Sequence, residues 1–186
     1  KEWKLLGDWE QFNQFTSPPG SERGMLVGLA WHRQNTETDS PFAISEVNDS
    51  QVFWSVTSDV SMQFDGASLF AAFTYTRLTD FTPRVPRINW HAFVLQGSTY
   101  VTNQTELFAR YETGSGDEPG LGDSELQLLT IGVNHYLDGQ DLKFTADIGF
   151  SFGEVNAIFA NTQAGWHADT SKDDQALIRT QLQFMF

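Results

Sequence analysis

The sequence contains no cysteine, which excludes a disulfide framework, a thiolate metal site and a cysteine nucleophile. Basic residues are also scarce, with 11 Lys and Arg against 24 Asp and Glu and a formal net charge of -13. Nucleic-acid phosphates would repel such a chain, so no nucleic-acid partner is expected. No apolar run reaches the roughly 18 residues that a transmembrane helix needs, although a β-barrel is not detected by this test.

The sequence also lacks a recognisable pattern of catalytic or metal-binding residues. The four histidines lie far apart in the sequence, and no Gly-x-Ser-x-Gly segment occurs. The acidic segment from Gly116 to Asp123 lacks the spacing of an EF-hand, so it is predicted to be a solvated loop rather than a calcium site. We therefore expect no enzyme activity, no metal and no cofactor.

The last ten residues, from Leu177 to Phe186, show the period of a β-strand. Alternate residues are mostly apolar, and the residues between them are mostly polar, because successive side chains of a strand point to opposite faces. Bacterial outer-membrane barrels have a last strand that resembles this one and ends in Phe. In those proteins the pattern is recognised by the barrel assembly machinery, so Phe184 and Phe186 are interpreted as an assembly signal. The alternative is a soluble sheet whose final strand ends here.

The same alternation predicts an all-β chain of about nine strands in a single domain, residues 1–186. Most of these strands are long enough to cross a bilayer at a tilt. The predicted strands are Glu2 to Phe12, Gly24 to Arg33, Val52 to Phe64, Ser68 to Arg77, Trp90 to Val101, Glu106 to Glu112, Gln127 to Leu137, Asp141 to Phe152, and Leu177 to Phe186. Segments rich in Gly, Pro and Ser separate them, and Thr113 to Ser124 is predicted to be a loop.

The alternation of apolar and polar residues predicts which side chains of each strand point outward and which point inward. In strand eight, Phe144 and Ile148 point outward and Thr145 points inward. Strand five is ambiguous, and Phe93 is placed outward because that sends Gln96 inward. The inward charged residues are predicted to line a pore: Asp59, Glu106, Arg110, Glu112, Lys143, Asp147 and Arg179.

The connections predict a transmembrane antiparallel up-and-down β-barrel. Links after strands three, five and seven are tight, whereas those after two, four, six and eight are expected to be longer, as on the two rims of an outer-membrane barrel. Closed bacterial barrels of one chain have an even number of strands, and nine is odd. Either strand one is not a barrel strand and eight remain, or further strands precede these nine. We expect the second, because strand one contains Trp3, Leu5 and Trp9.

Several runs resemble the C-terminal half of the phosphate-selective porin O and P family: 106–112 (ELFARYE), 129–137 (LTIGVNHYL), 143–149 (KFTADIG) and 181–186 (QLQFMF). The resemblance covers about residues 50–186 and implies a 16-stranded trimeric porin in the outer membrane of a Gram-negative-type bacterium. It implies outer-membrane lipid, two further copies of the chain and the barrel assembly machinery as partners. The constriction loop of such porins would lie in the N-terminal half.

The predicted function is a water-filled channel for passive diffusion of small hydrophilic solutes or ions. Phosphate-selective members line the pore with an Arg and Lys ladder, whereas Arg110, Lys143 and Arg179 are accompanied here by four carboxylates. A weak cation preference is therefore expected. The first alternative is a phosphate- or anion-selective porin. The second is a soluble β-sandwich or barrel that acts as a binding module, of lectin or lipocalin type.

Overall fold

Nine β-strands account for nearly all the regular structure in the computed structural model, which describes residues 1–36, 51–80, 87–118, 122–153, 155, 165–167 and 174–185. The strands are β1 (Glu2–Leu6), β2 (Gly24–Thr36), β3 (Gln51–Phe64), β4 (Ala67–Asp80), β5 (Ile88–Thr102), β6 (Thr105–Glu118), β7 (Gly122–Asp138), β8 (Leu142–Ser151) and β9 (Ala176–Phe184). A short 3-10 helix spans Trp9–Asn13. Phe186, half of the predicted assembly signal, lies outside the described residues.

All nine strands form one antiparallel sheet in sequence order, from β1 to β9. The prediction of an all-β, antiparallel, up-and-down arrangement is thereby confirmed. Within the described residues, β1 pairs only with β2, and β9 pairs only with β8. Tight links join β3 to β4 at residues 65–66, β5 to β6 at 103–104 and β7 to β8 at 139–141, as predicted.

The predicted first strand, Glu2 to Phe12, is wrong in its second half. The strand ends at Leu6, and the backbone turns away at Gly7. The φ of Gly7 is 83°, a backbone conformation that residues with a Cβ rarely adopt. The 3-10 helix then begins, and the Asp8 amide donates to Gln11 Oε1 at 3.1 Å. Apolar residues such as Trp9 and Phe12 fit either period over so short a stretch.

The predicted loop from Thr113 to Ser124 is also wrong for most of its length. Strand β6 continues to Glu118 and β7 begins at Gly122, with an unbroken register that pairs Ser115 with Glu125. Gly116 is required here, because a Cβ at this position would overlap the Trp90 ring on β5. The link after β6 is consequently three residues, 119–121, the same length as the tight link between β7 and β8, so the prediction of a longer link here is wrong.

The register gives the sheet two unlike faces. The first, here called the apolar face, carries Leu29, Trp31, Leu69, Phe73, Leu95, Ile131, Phe144 and Ile148, all exposed. The second, the polar face, carries most of the hydroxyl, amide and charged side chains. Among the described side chains, 23 large apolar ones are exposed and only five are buried. The sheet therefore leaves many large apolar side chains exposed and fully buries very few of them.

Candidate functional site: a cavity on the polar face

A cavity of about 850 Å³ lies on the polar face. Residues of β5 through β9 line it together with residues 13–16, so this face curves around the space. The polar and charged lining residues include Gln96, Ser98, Glu106, Arg110, Thr130, Asn134, Tyr136, Lys143, Thr145, Asp147, Arg179, Gln181 and Gln183. Such a lining can hold water and hydrated solutes.

The register places all seven predicted pore-lining residues on the polar face, and five of them line this cavity: Glu106, Arg110, Lys143, Asp147 and Arg179. Asp59 lies apart on β3, where its carboxylate packs over Gly28. Glu112 is on the same strand as Arg110, with its Oε1 3.9 Å from Arg110 Nη1. The structure thus brings five of the seven together, while a role in lining a pore stays a prediction.

Glu106 is the most buried of these charged residues, with 2% of its surface exposed. Its Oε1 accepts hydrogen bonds from Thr16 at 3.0 Å and Ser98 at 2.6 Å. Its Oε2 accepts from Asn134 at 2.9 Å and Tyr136 at 2.6 Å. Four donors fully satisfy one carboxylate, so its negative charge is held in place on the cavity wall rather than presented to a solute.

The other charged residues of the cavity differ in how firmly they are held. Arg179 Nε donates to Asp147 Oδ1 at 2.9 Å across the β8–β9 pair. Arg110 Nε donates to Gln96 Oε1 at 3.0 Å. The Lys143 ammonium lies 5.8 Å from the centre of the Tyr136 ring, and no carboxylate of the described residues lies within ion-pair distance of it. Lys143 is therefore the cation most available to a solute.

Residues 9–19, here called the strap, cross the polar face at the end with the tight links. Gln63 Nε2 donates to the carbonyl oxygens of Gln11 at 2.8 Å and Gln14 at 3.1 Å. Ser68 Oγ donates to the Phe15 carbonyl at 3.0 Å, and the Phe15 ring meets the Phe70 ring edge-on at 5.0 Å. The strap thereby forms one wall of the cavity.

The contacts of Glu106 with the strap were not predicted from the sequence. Thr16 and Glu106 are 90 positions apart, and Thr16 also lies 2.8 Å from the Tyr100 hydroxyl. The Tyr100 and Tyr136 rings are stacked, with centres 5.6 Å apart. Alternation could have placed both tyrosines on the polar face beside Glu106, but no local pattern indicates a segment that folds back over the sheet.

At the end with the longer links, the polar face carries an apolar cluster. Leu128, Val155 and Trp166 are buried together, with Leu126 and Leu177 packed around them. Gly149 lies directly beneath the Trp166 ring. Parts of the β8–β9 link therefore pack over the polar face of β7 to β9, and the cavity lies between this cluster and the strap.

Metal binding receives no geometric support in the described part of the chain, where no three His, Asp or Glu side chains gather around one point. None of the described helices combines the length and apolar character needed to cross a membrane. Comparisons with protein-family models, with curated proteins and with solved structures give no match. The porin resemblance accordingly stays an expectation drawn from the sequence.

Proposed function

We propose that the chain forms part of the wall of a water-filled channel in an outer membrane, with its apolar face toward lipid. The observation that carries this proposal is the exposed apolar face itself. Soluble monomers rarely expose a contiguous apolar patch larger than a few hundred Å², whereas Leu29, Phe73, Ile131 and Ile148 represent an exposed layer that runs from β2 to β8. Lipid is the environment in which such a layer is stable.

The polar face supports the second part of the proposal, a water-filled space on the side of the sheet away from lipid. Strands that alternate between apolar and polar residues place lipid on one side and water on the other. The cavity of about 850 Å³ is large enough for small hydrated solutes, and its lining mixes amides, hydroxyls and both signs of charge. Closure of the barrel, assembly as a trimer and passive diffusion of hydrophilic solutes or ions are parts of the same proposal.

An anion-selective channel is the second candidate, and one observation favours it. The cavity lining contains three basic residues, Arg110, Lys143 and Arg179, against two acidic ones, Glu106 and Asp147. Both carboxylates already accept hydrogen bonds from protein groups, whereas Lys143 forms no ion pair among the described residues. A phosphate or other small anion could therefore be held locally.

The channel proposal is tested by reconstituting the purified chain into phosphatidylcholine vesicles. We expect it to float with the vesicles after a high-salt wash and to release an entrapped small hydrophilic dye faster than an entrapped large dextran. A chain that stays soluble and monodisperse without detergent, and that leaves vesicles intact, would support the soluble binding module instead.

A further inference from the structure

A second cavity, a groove of about 490 Å³, lies on the apolar face near the ends of β2, β3 and β4 that carry the longer links. Its lining combines aromatic and aliphatic side chains with two arginines: Trp31, Arg33, Val52, Trp54, Arg77 and Thr79. The channel described above does not use this groove, because it is on the opposite face of the sheet.

The register brings the two arginines of the groove close together. Arg33 on β2 and Arg77 on β4 both pair with Trp54 on β3, so their Cα atoms are two strand spacings apart, roughly 10 Å. Guanidinium groups on flexible stems can converge across that distance on one anion. Both flank the indole of Trp54, whose ring also contacts Tyr75 at a centre distance of 5.2 Å.

Neither arginine has its charge neutralised by a described residue. No ion pair of the described residues includes Arg33 or Arg77. The Arg77 Nε is buried and has no hydrogen-bond partner there. A buried donor without a partner costs free energy, and an anionic ligand in the groove would supply the missing acceptor.

Charge is otherwise rare on this face. Among the described side chains of β2 to β9, the fixed charges that the register places on the apolar face are Arg33, Arg77, Asp117, Glu125 and Asp138. The three acidic residues are on β6 and β7, at least two strands from Arg77. The groove is thus a local positive site beside a broad apolar surface, on a chain with a net charge of -13.

We propose that the groove binds the phosphate headgroup of a membrane lipid, with the two guanidinium groups on the phosphate and the acyl chains along the apolar face. Arginine suits this ligand because its planar fork donates two parallel hydrogen bonds to phosphate oxygens. Trp31 and Trp54 suit the same position, because tryptophan is enriched at the boundary between lipid headgroups and acyl chains. The inference rests on the proposed position of the apolar face in a membrane.

A lipid satisfies the groove better than the two other candidate occupants. Free inorganic phosphate would contact the arginines but would leave the apolar lining exposed to water. A second copy that presents the same groove would bring arginine against arginine. A phosphate attached to acyl chains matches both the charge and the apolar surface beside it.

The test compares lipid binding by three forms of the full chain in detergent micelles, measured by native mass spectrometry as phosphatidic acid is added. The wild type is compared with Arg33→Gln/Arg77→Gln and with Lys4→Gln/Arg23→Gln, which removes the same charge at the end with the tight links. We expect the groove variant to bind phosphatidic acid about tenfold more weakly or worse. The control variant should bind as the wild type does. Arg33→Gln alone, at an exposed side chain, gives a milder loss and guards against misfolding of the double variant.

Several outcomes would overturn the lipid site. Equal affinity for phosphatidic acid and phosphatidylcholine, or equal loss in both double variants, would show that the groove does not recognise phosphate. Competition by inorganic phosphate at the same concentration would indicate a soluble anion instead, and a lipid-free dimer lost only in the groove variant would indicate a second copy. Failure of the channel proposal is separate, since it would appear as a chain that does not float with phosphatidylcholine vesicles.

Discussion

At the scale of single residues, Glu106 joins the strap to the wall of the cavity. It is 2% exposed and accepts hydrogen bonds from Thr16, Ser98, Asn134 and Tyr136. Four donors converge on its two oxygens. A replacement side chain that cannot accept all four hydrogen bonds would leave buried donors without partners.

We expect Glu106→Gln to lower the free energy of unfolding by about 2 to 4 kcal/mol, because the amide nitrogen would face donors and the charge-assisted bonds would be lost. Urea titration of the detergent-folded chain measures this. Glu112→Gln is the matched control: its side chain is 30% exposed and its Oε1 is 3.9 Å from Arg110 Nη1, so a change below about 1 kcal/mol is expected. Equal effects in the two variants would contradict the role given to Glu106.

The sequence predicts which face of the sheet a side chain occupies, but it does not predict the side chain's hydrogen-bond partners. Alternation correctly placed Gln96 on the polar face, where it accepts from Arg110. It also placed Glu106 on that face. The contact between Glu106 and Thr16 joins residues 90 positions apart and depends on a segment that leaves the sheet, so no local pattern predicts it.

At the scale of elements, the strands that were predicted best are those whose two faces differ most. Strand β8 was predicted as Asp141 to Phe152 and is Leu142–Ser151. The errors occur where composition and structure disagree. Gly114 and Gly116 look like loop residues, yet β6 continues through both, and the absence of a Cβ at Gly116 leaves room for the Trp90 ring. The aromatic residues after Gly7 look like a strand, yet they form the strap.

Strand β8 offers a direct test of which face meets lipid. Arg in place of Phe144 or Ile148 should cost roughly 2 to 4 kcal/mol of folding free energy in a bilayer, because each points from the apolar face. Arg at Thr145, which points to the polar face, should cost much less. Folding into vesicles, followed by gel mobility with and without heating, measures the difference. Equal damage at both faces would support a soluble sheet.

The strap provides a separate prediction at this scale. Gln63→Leu removes both hydrogen bonds to the strap carbonyls, at Gln11 and Gln14, and should loosen this wall of the cavity. Single-channel recording should show larger and noisier conductance. Gln181→Leu is the control, since it changes the polarity of the same cavity on β9 without a described contact to the strap. Unchanged conductance in the Gln63 variant would argue that the strap does not narrow the passage.

At the scale of the whole molecule, the question is how the fixed charges act across an aqueous passage. A wall of low dielectric constant strengthens the field of each charge, so the sign of the lining favours ions of the opposite sign. The seven predicted pore-lining residues comprise four acids and three bases, whereas the five around the cavity comprise two acids and three bases. The two sets predict opposite selectivity, because Asp59 and Glu112 lie outside the cavity.

We expect the larger set to determine the selectivity, because an ion that crosses the channel passes all seven residues. Four of these seven are acidic, so a weak cation preference should result. The measurement is the reversal potential across a bilayer under a salt gradient, before and after Arg110→Gln/Arg179→Gln. Neutralising two of the three bases should move the reversal potential further toward the cation side. Arg23→Gln, outside the cavity, should leave it unchanged. A strongly anion-selective wild type that loses its selectivity in the double variant would reverse this assignment, and would show that the cavity residues alone determine which ions pass.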